Sequence, residues 1–176
     1  DRQFNYYQLI ETCTKMIKEA VPDVPVMVKL AIEDIDCLTS IRRAVAAGAD
    51  AVGPTARWKG FYFDLDWKTT EARPGAGYGG TQANPVVCFE IADARSKGIT
   101  IPMYAGGGVF SYDQALRYIM AGAEMVQLGA IACSGGIKQC QRIIKQCSDW
   151  MDENGFKSVK ELQGEALKLF NMDQGF

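Results

Sequence analysis

The sequence predicts an α/β fold built on a parallel sheet, and three observations predict it. Two stretches repeat each other, Ala46-Ala47-Gly48-Ala49-Asp50-Ala51-Val52 and Met120-Ala121-Gly122-Ala123-Glu124-Met125-Val126. In each, an amphipathic helical pattern stops at a glycine, which suits the left-handed position that ends a helix, and an apolar strand pattern follows. The same joint recurs at Ser96-Lys97-Gly98 before Ile99-Thr100-Ile101, and a fourth uses Pro22 and Pro25 before Val26-Met27-Val28. The runs after these joints are short and nearly continuously apolar, as parallel strands buried on both faces are. Four helix-to-strand joints describe repeated βα units. Four strands cannot close an eight-stranded barrel, which takes ~250 residues. Two arrangements therefore satisfy the pattern. Either residues 1–176 supply about the last four βα units of a single (β/α)8 TIM barrel, with another four preceding Asp1, or they form an open α/β sheet.

The elements follow in order. A leading helix is expected over 7–20, then a strand over 24–30. A helix over 36–47 presents Leu38, Ile41 and Val45 on one face. The next strand covers 51–55. The segment 56–84 breaks the rhythm, and a loop of that length is unusual unless it is functional. Asn84-Pro85 reads as an N-cap with proline at the first helical position, opening a helix over 85–97. A strand over 101–105 precedes a helix over 111–121, whose Ser111-Tyr112-Asp113-Gln114 reads as a capping box. A last strand over 125–130 leads to a helix over 136–153. The closing helix, 158–170, opens on a second box, Ser158-Val159-Lys160-Glu161.

Charge is nearly balanced, 19 Lys+Arg against 21 Asp+Glu, which gives no reason to expect nucleic acid or an anionic membrane surface. The apolar runs are too short to span a bilayer. No signal peptide is visible, and without an initiator methionine the chain is expected to begin inside a longer polypeptide. Six cysteines (Cys13, Cys37, Cys88, Cys133, Cys140 and Cys147) are scattered with no C-x-x-C pair, which predicts a reducing, cytoplasmic setting and structural thiols. Cys133, Cys140 and Cys147 recur every seven residues, a spacing that places them on one helical face as core. The chain has no histidine, so it can form neither a His-based triad nor a His-ligated metal centre, and no metal site is expected.

Four groups of residues carry chemistry. Ala105-Gly106-Gly107-Gly108-Val109 closes an apolar run just before a capped helix. Consecutive glycines let backbone N–H groups approach an anion, and a helix N-terminus adds partial positive charge. A plain βα turn would need one glycine, not three. Leu128-Gly129-Ala130 stands one βα unit later, and phosphate sites in (β/α)8 barrels are often built from the loops after the last two strands. Lys29 lies inside the run Pro25-Val26-Met27-Val28-Lys29-Leu30, where it either offers positive charge to a ligand or snorkels from the strand end. Tyr78-Gly79-Gly80-Thr81 could admit a planar ring or a phosphate, or simply return the chain to its helix. The aromatic stretch Trp58 to Trp67 suits a lid, a docking surface for a partner, or a satellite core.

Taken in order, VPVMVKL, AGADAV, YGGTQANP, IPMYAGGGVFSYDQA, AGAEMVQLGAI and the tail NGFKSVKELQGEAL resemble the C-terminal half of dihydroorotate dehydrogenases and the related pyrimidine-domain barrel of dihydropyrimidine dehydrogenase. The resemblance covers nearly the whole chain. It implies an FMN-dependent (β/α)8 barrel that oxidises or reduces the C5–C6 bond of a pyrimidine. By position, Lys29 matches a lysine at the flavin's pyrimidine edge and Gly80 a backbone contact to the flavin. Gly107 and Gly108 with Gly129 and Ala130 match a phosphate cradle, and Gly106 stands where the family often has another small residue. Ala56-Arg57 occupies the substrate side, where the family usually carries Asn followed by Ser or Thr. That departure leads us to expect a substrate other than dihydroorotate. The catalytic base is expected on the absent N-terminal half.

The function the resemblance implies is hydride transfer between FMN and a small conjugated substrate. Electrons would leave through iron–sulfur clusters on a partner or another domain, or through a second flavin. A homo-oligomer or an electron-transfer partner subunit is expected. The alternatives are a non-redox barrel enzyme that binds a phosphorylated metabolite, and a catalytically silent barrel subunit of a larger redox complex.

Overall fold

The computed structural model describes residues 2–31, 36–55, 58–61, 65 and 76–172. The elements run α1 (Arg2–Ala20), β1 (Met27–Ala31), α2 (Cys37–Ala46), β2 (Ala51–Thr55), β3 (Trp58–Gly60), β4 (Ala76–Tyr78), α3 (Ala83–Ser96), β5 (Tyr104–Gly106), α4 (Tyr112–Met120), β6 (Met125–Gln127), α5 (Ala130–Glu153), α6 (Val159–Leu162) and α7 (Leu167–Met172). Strands β1, β2, β5 and β6 form one parallel sheet in that spatial order. The expected parallel α/β architecture is therefore present.

Alternation along these strands separates two faces. One face carries Leu30, Val52, Met103 and Ala105, which pack into a core with Ile41, Val87, Ile91, Tyr118 and Ile143 from the helices. Each large apolar side chain so buried contributes about 1.5–3 kcal/mol. The other face carries two rows fixed by register. Lys29 pairs with Gly53, Tyr104 lies beside Gly53 through the Val52–Met103 bridge, and Tyr104 pairs with Met125. One step nearer the strand ends, Ala31, Thr55, Gly106 and Gln127 form the second row.

The repeated joints have a physical basis. Asp50 and Glu124 each clasp the start of the preceding strand twice. The Asp50 N–H donates to Val26 O at 2.9 Å and the Val26 N–H donates to Asp50 Oδ2 at 2.6 Å. The Glu124 N–H donates to Met103 O at 2.8 Å and the Met103 N–H donates to Glu124 Oε2 at 2.7 Å. Each carboxylate also meets a cation from the end of the helix before that strand: Lys18 on α1 at 2.9 Å, and Arg95 on α3 at 2.7 Å. The α1-β1-α2-β2 and α3-β5-α4-β6 units are thus two copies of one plan.

Several boundaries differ from the sequence reading. The first strand starts at Met27, not at residue 24, because Pro25 has no N–H and the Val26 N–H is spent on Asp50. The third parallel strand is Tyr104–Gly106, since the Met103 N–H is spent on Glu124. The fourth ends at Gln127, and Ala130 opens α5 instead of ending the strand. That helix breaks at Gly136 (φ 67°, ψ −173°), so its first turns form a separate short helix ahead of the expected 136–153 segment. The break also undoes the cysteine stripe: Cys140 is buried and Cys147 half-buried, but Cys133 is exposed. Asn84 is not the cap of α3. It lies within the first turn, buried, and its amide donates to Gln114 O at 3.0 Å. The closing helix divides at Gly164, where the Gly164 and Ala166 N–H groups donate to Ile119 O and Met120 O and dock the tail on α4. Within 56–84, Trp58–Gly60 and Ala76–Tyr78 pair as an antiparallel hairpin, which sequence periodicity did not signal.

Candidate cofactor site

The C-terminal ends of the parallel strands open into a cleft of about 720 Å³, within the size range of small-molecule sites. Lys29, Gly80, Gly106, Gly107, Gly108, Gly129 and Ala130 all line it. The sequence reading named these seven as cofactor contacts, and the fold brings them together. The other two candidates, Ala56 and Arg57, lie outside the described residues, as does much of the aromatic segment.

The glycine turns meet each other as well as the cleft. Gly107 and Gly108 both have positive φ, 108° and 67°. A Cβ on Gly108 would sit 2.1 Å from Gly80 O, so glycine there is required by backbone-to-backbone contact between two turns. A Cβ on Gly129 would meet nothing within 4 Å, so that turn faces open space. Among the described residues, the Gly108 and Val109 N–H groups donate to no acceptor. At the start of α5 the Ala132 and Cys133 amides donate to Gly129 O, which leaves the Ala130 and Ile131 N–H groups without an intrahelical acceptor. The two glycine turns and this helix start make a concave surface of N–H donors, suited to an anion.

A buried polar network holds the triple-glycine turn from behind. Tyr118, fully buried on α4, donates its hydroxyl to Gly107 O at 2.6 Å. Burial pushes its phenol well above the ordinary range, against a smaller opposing effect from Asn84, so it remains a donor. Gln114 Oε1 accepts from the Phe110 and Ser111 N–H groups at 2.7 and 3.1 Å. These contacts fix the turn before any ligand arrives.

The Lys29 side chain is exposed and lines the cleft, because the face of β1 that carries it is the face lining the cleft. The cleft also collects Tyr6, Thr55 and Gln127, which the sequence reading missed, with Tyr78 and Lys59 from the glycine turn and the aromatic stretch that it singled out. Thr55, buried, donates to Leu30 O at 3.0 Å and ties β2 to β1 beneath the opening. Gln127 and Thr55 could have been noticed as polar residues ending apolar runs, MVQ and AVGPT. Tyr6 carries no local signal, since α1 reaches the cleft only through tertiary packing. Among the described residues, the cleft lining contains two lysines and no Asp or Glu. Among the described residues, no group of three or more His, Cys, Asp or Glu side chains could hold a metal ion.

An α/β chain whose parallel strands end at a glycine-lined cleft has the layout of the parallel-sheet proteins, which place their ligand sites beyond the strand ends. The dihydroorotate dehydrogenase family model matches residues 2–151, and the chain belongs to that family. It is 30% identical to the dihydroorotate dehydrogenase B (NAD(+)) catalytic subunit of Pyrococcus abyssi over 166 residues, 94% of this chain and 54% of that protein. It is 32% identical to the subunit of the same name from Listeria innocua, over 88% of this chain and 50% of the relative. The Methanosarcina mazei subunit of that name is also 32% identical, over 92% and 51%. The chain thus spans about half the length of the curated relatives it matches. Among the described residues, no helix is long and apolar enough to cross a membrane.

Proposed function

We propose that this chain is the C-terminal half of an FMN-binding (β/α)8 barrel and serves an oxidoreductase that passes a hydride between flavin and a small conjugated substrate. The observation that carries this reading is the convergence of Lys29, the Gly79-Gly80 turn and both glycine turns of the anion cradle on one cleft. A phosphate site alone would need only the cradle. A cation and a second glycine turn in the same cleft suit a phosphorylated ligand that also carries a flat ring.

The residues present fit that group. The Gly108–Val109 amides and the α5 start would hold the phosphate, and the Gly79-Gly80 turn would lie along the ring. Lys29 would face the pyrimidine edge of the ring. FMN, when bound, supplies the two-electron chemistry. The chain's own part is to bind, to orient, and to place a positive charge where negative charge develops on reduction. Half the length of the relatives falls outside these residues, so the catalytic base, the electron acceptor and the partner subunit are assigned to the rest of the assembly. The Ala56-Arg57 position keeps our expectation of a substrate other than dihydroorotate. The relatives named as catalytic subunits support a partner that relays electrons, and a cytoplasmic setting agrees with that reading.

Lys29→Ala tests the assignment. The cradle would still anchor the phosphate, so FMN affinity should fall modestly while the affinity for reduced relative to oxidised flavin falls further. Flavin titrations in both redox states measure this. An unchanged ratio would leave Lys29 as a strand-end residue without a role at the ring.

A further inference from the structure

Gly106 closes β5 beside Gln127, its register partner at the end of β6, and both line the cleft. Of the three consecutive glycines, Gly107 and Gly108 have positive φ and Gly106 does not, so the backbone at 106 does not call for glycine. The space above it does. A Cβ built on Gly106 would fall 2.9 Å from Gln127 Oε1 and 3.4 Å from Gln127 Cβ, with Thr55 Cγ2 at 3.4 Å on the β2 side. The Gln127 side chain thus folds back over β5, and its amide sits on the ground that a side chain at position 106 would take.

The outermost row of the cleft-facing sheet is Ala31, Thr55, Gly106 and Gln127. Ala31 offers a methyl group, Gly106 nothing, and Thr55 spends its hydroxyl proton on Leu30 O. Gln127 is the residue of this row that can both donate and accept toward the cleft. It is exposed, and among the described residues its amide makes no hydrogen bond to protein. Gly107 and Gly108 follow Gly106 directly, so the amide lies at the inner edge of the anion cradle. Lys29 stands on β1, two strands further across the sheet. A ligand anchored in the cradle and reaching Lys29 passes over this amide. A neutral amide with N–H donors and a carbonyl acceptor matches hydroxyl groups, which need both, and brings no charge for a second anion. We propose that Gln127 is a binding residue for a hydroxylated chain that leads from the phosphate toward Lys29, and that position 106 is glycine to seat its amide. The inference deepens the proposed flavin reading, in which that chain is the ribityl chain of FMN. A phosphorylated polyol without a ring presents the same groups.

The test titrates the intact protein, stripped of cofactor, with FMN, ribitol phosphate and inorganic phosphate by calorimetry. The wild-type protein should bind ribitol phosphate at least about threefold more tightly than inorganic phosphate. Gln127→Ala should weaken FMN and ribitol phosphate about three- to tenfold each and leave inorganic phosphate unchanged. Gly106→Ala should cause a like loss by displacing the amide, with no further loss in a Gln127→Ala background. An equal loss for all three ligands would overturn the proposal, since Gln127 would then serve the phosphate or the cradle itself. A loss for FMN alone would overturn it too, by placing the amide at the ring. FMN binding untouched by either substitution would refute the proposal and leave the flavin reading standing. A selective loss of ribitol phosphate in a protein that takes up no FMN would support the proposal and refute the flavin reading.

Discussion

At Gly108 a single hydrogen atom separates a working turn from a collision. Its φ of 67° already disfavours a side chain, and a methyl group there would press within 2.1 Å of Gly80 O. Gly108→Ala should therefore move two turns apart at once, the cradle and the ring-facing loop. The loss of one or two charge-assisted hydrogen bonds costs roughly 1.5–3 kcal/mol each, at least about tenfold in FMN affinity. Fluorescence titration of the intact protein checks it, and wild-type affinity would remove the cradle from this position. At this scale the sequence was informative where the proposed site is made of backbone. Glycine turns next to helix starts announce themselves, and the six residues so chosen reach the cleft, as does Lys29. The contact of Gln127 with Gly106 did not announce itself. It depends on a β5–β6 pairing between residues far apart in the chain, which local patterning does not encode.

The helices and joints carry the stability of the unit unequally. Arg95 is the most heavily committed side chain. Its guanidinium donates to Gly122 O, Ile99 O and Ile101 O and to both oxygens of Glu124, with only 11% of the side chain exposed. Arg95→Ala would leave three carbonyls and a carboxylate short of partners, a cost of about 2–4 kcal/mol. Chemical denaturation should show it. The equivalent Lys18–Asp50 pair is more exposed, so Lys18→Ala should cost clearly less, and equal losses would contradict the unequal burial of the two clasps. Between α2 and α3, burial raises the Glu90 carboxyl above its ordinary value while a hydrogen bond with Cys37 opposes the shift. A raised folded-state value means that the contribution is fully present below the unfolded pKa and lost as pH rises through the folded one. Glu90→Gln should thus raise the melting temperature at neutral pH, and the gain should shrink on acidification. A pH-independent effect would point to packing instead. The helix-to-strand joints were legible because glycine and the acid after it repeat. The cap of α3, the break at Gly136 and the β3–β4 hairpin were not, since each is decided by contacts made across the fold.

As a whole the described chain is a sheet with two unpaired edges, β1 and β6, each with an exposed methionine, Met27 and Met125. Open edges with exposed apolar residues are sites where further strands can add, as the proposed barrel half requires, and the relatives it matches are about twice as long. A parallel sheet was legible from the repeated joints. Barrel against open sheet was not, because four βα units obey the same local rules in both. Our central claim is that the shared cleft of Lys29 and the glycine turns holds FMN. The most direct measurement is the flavin content of the intact, purified protein, read from its visible absorbance and confirmed by FMN titration of protein stripped of cofactor. The account predicts one FMN for each cleft, released on denaturation and regained on titration. A colourless protein that takes up no FMN, yet binds a phosphorylated metabolite in the same cleft, would contradict it.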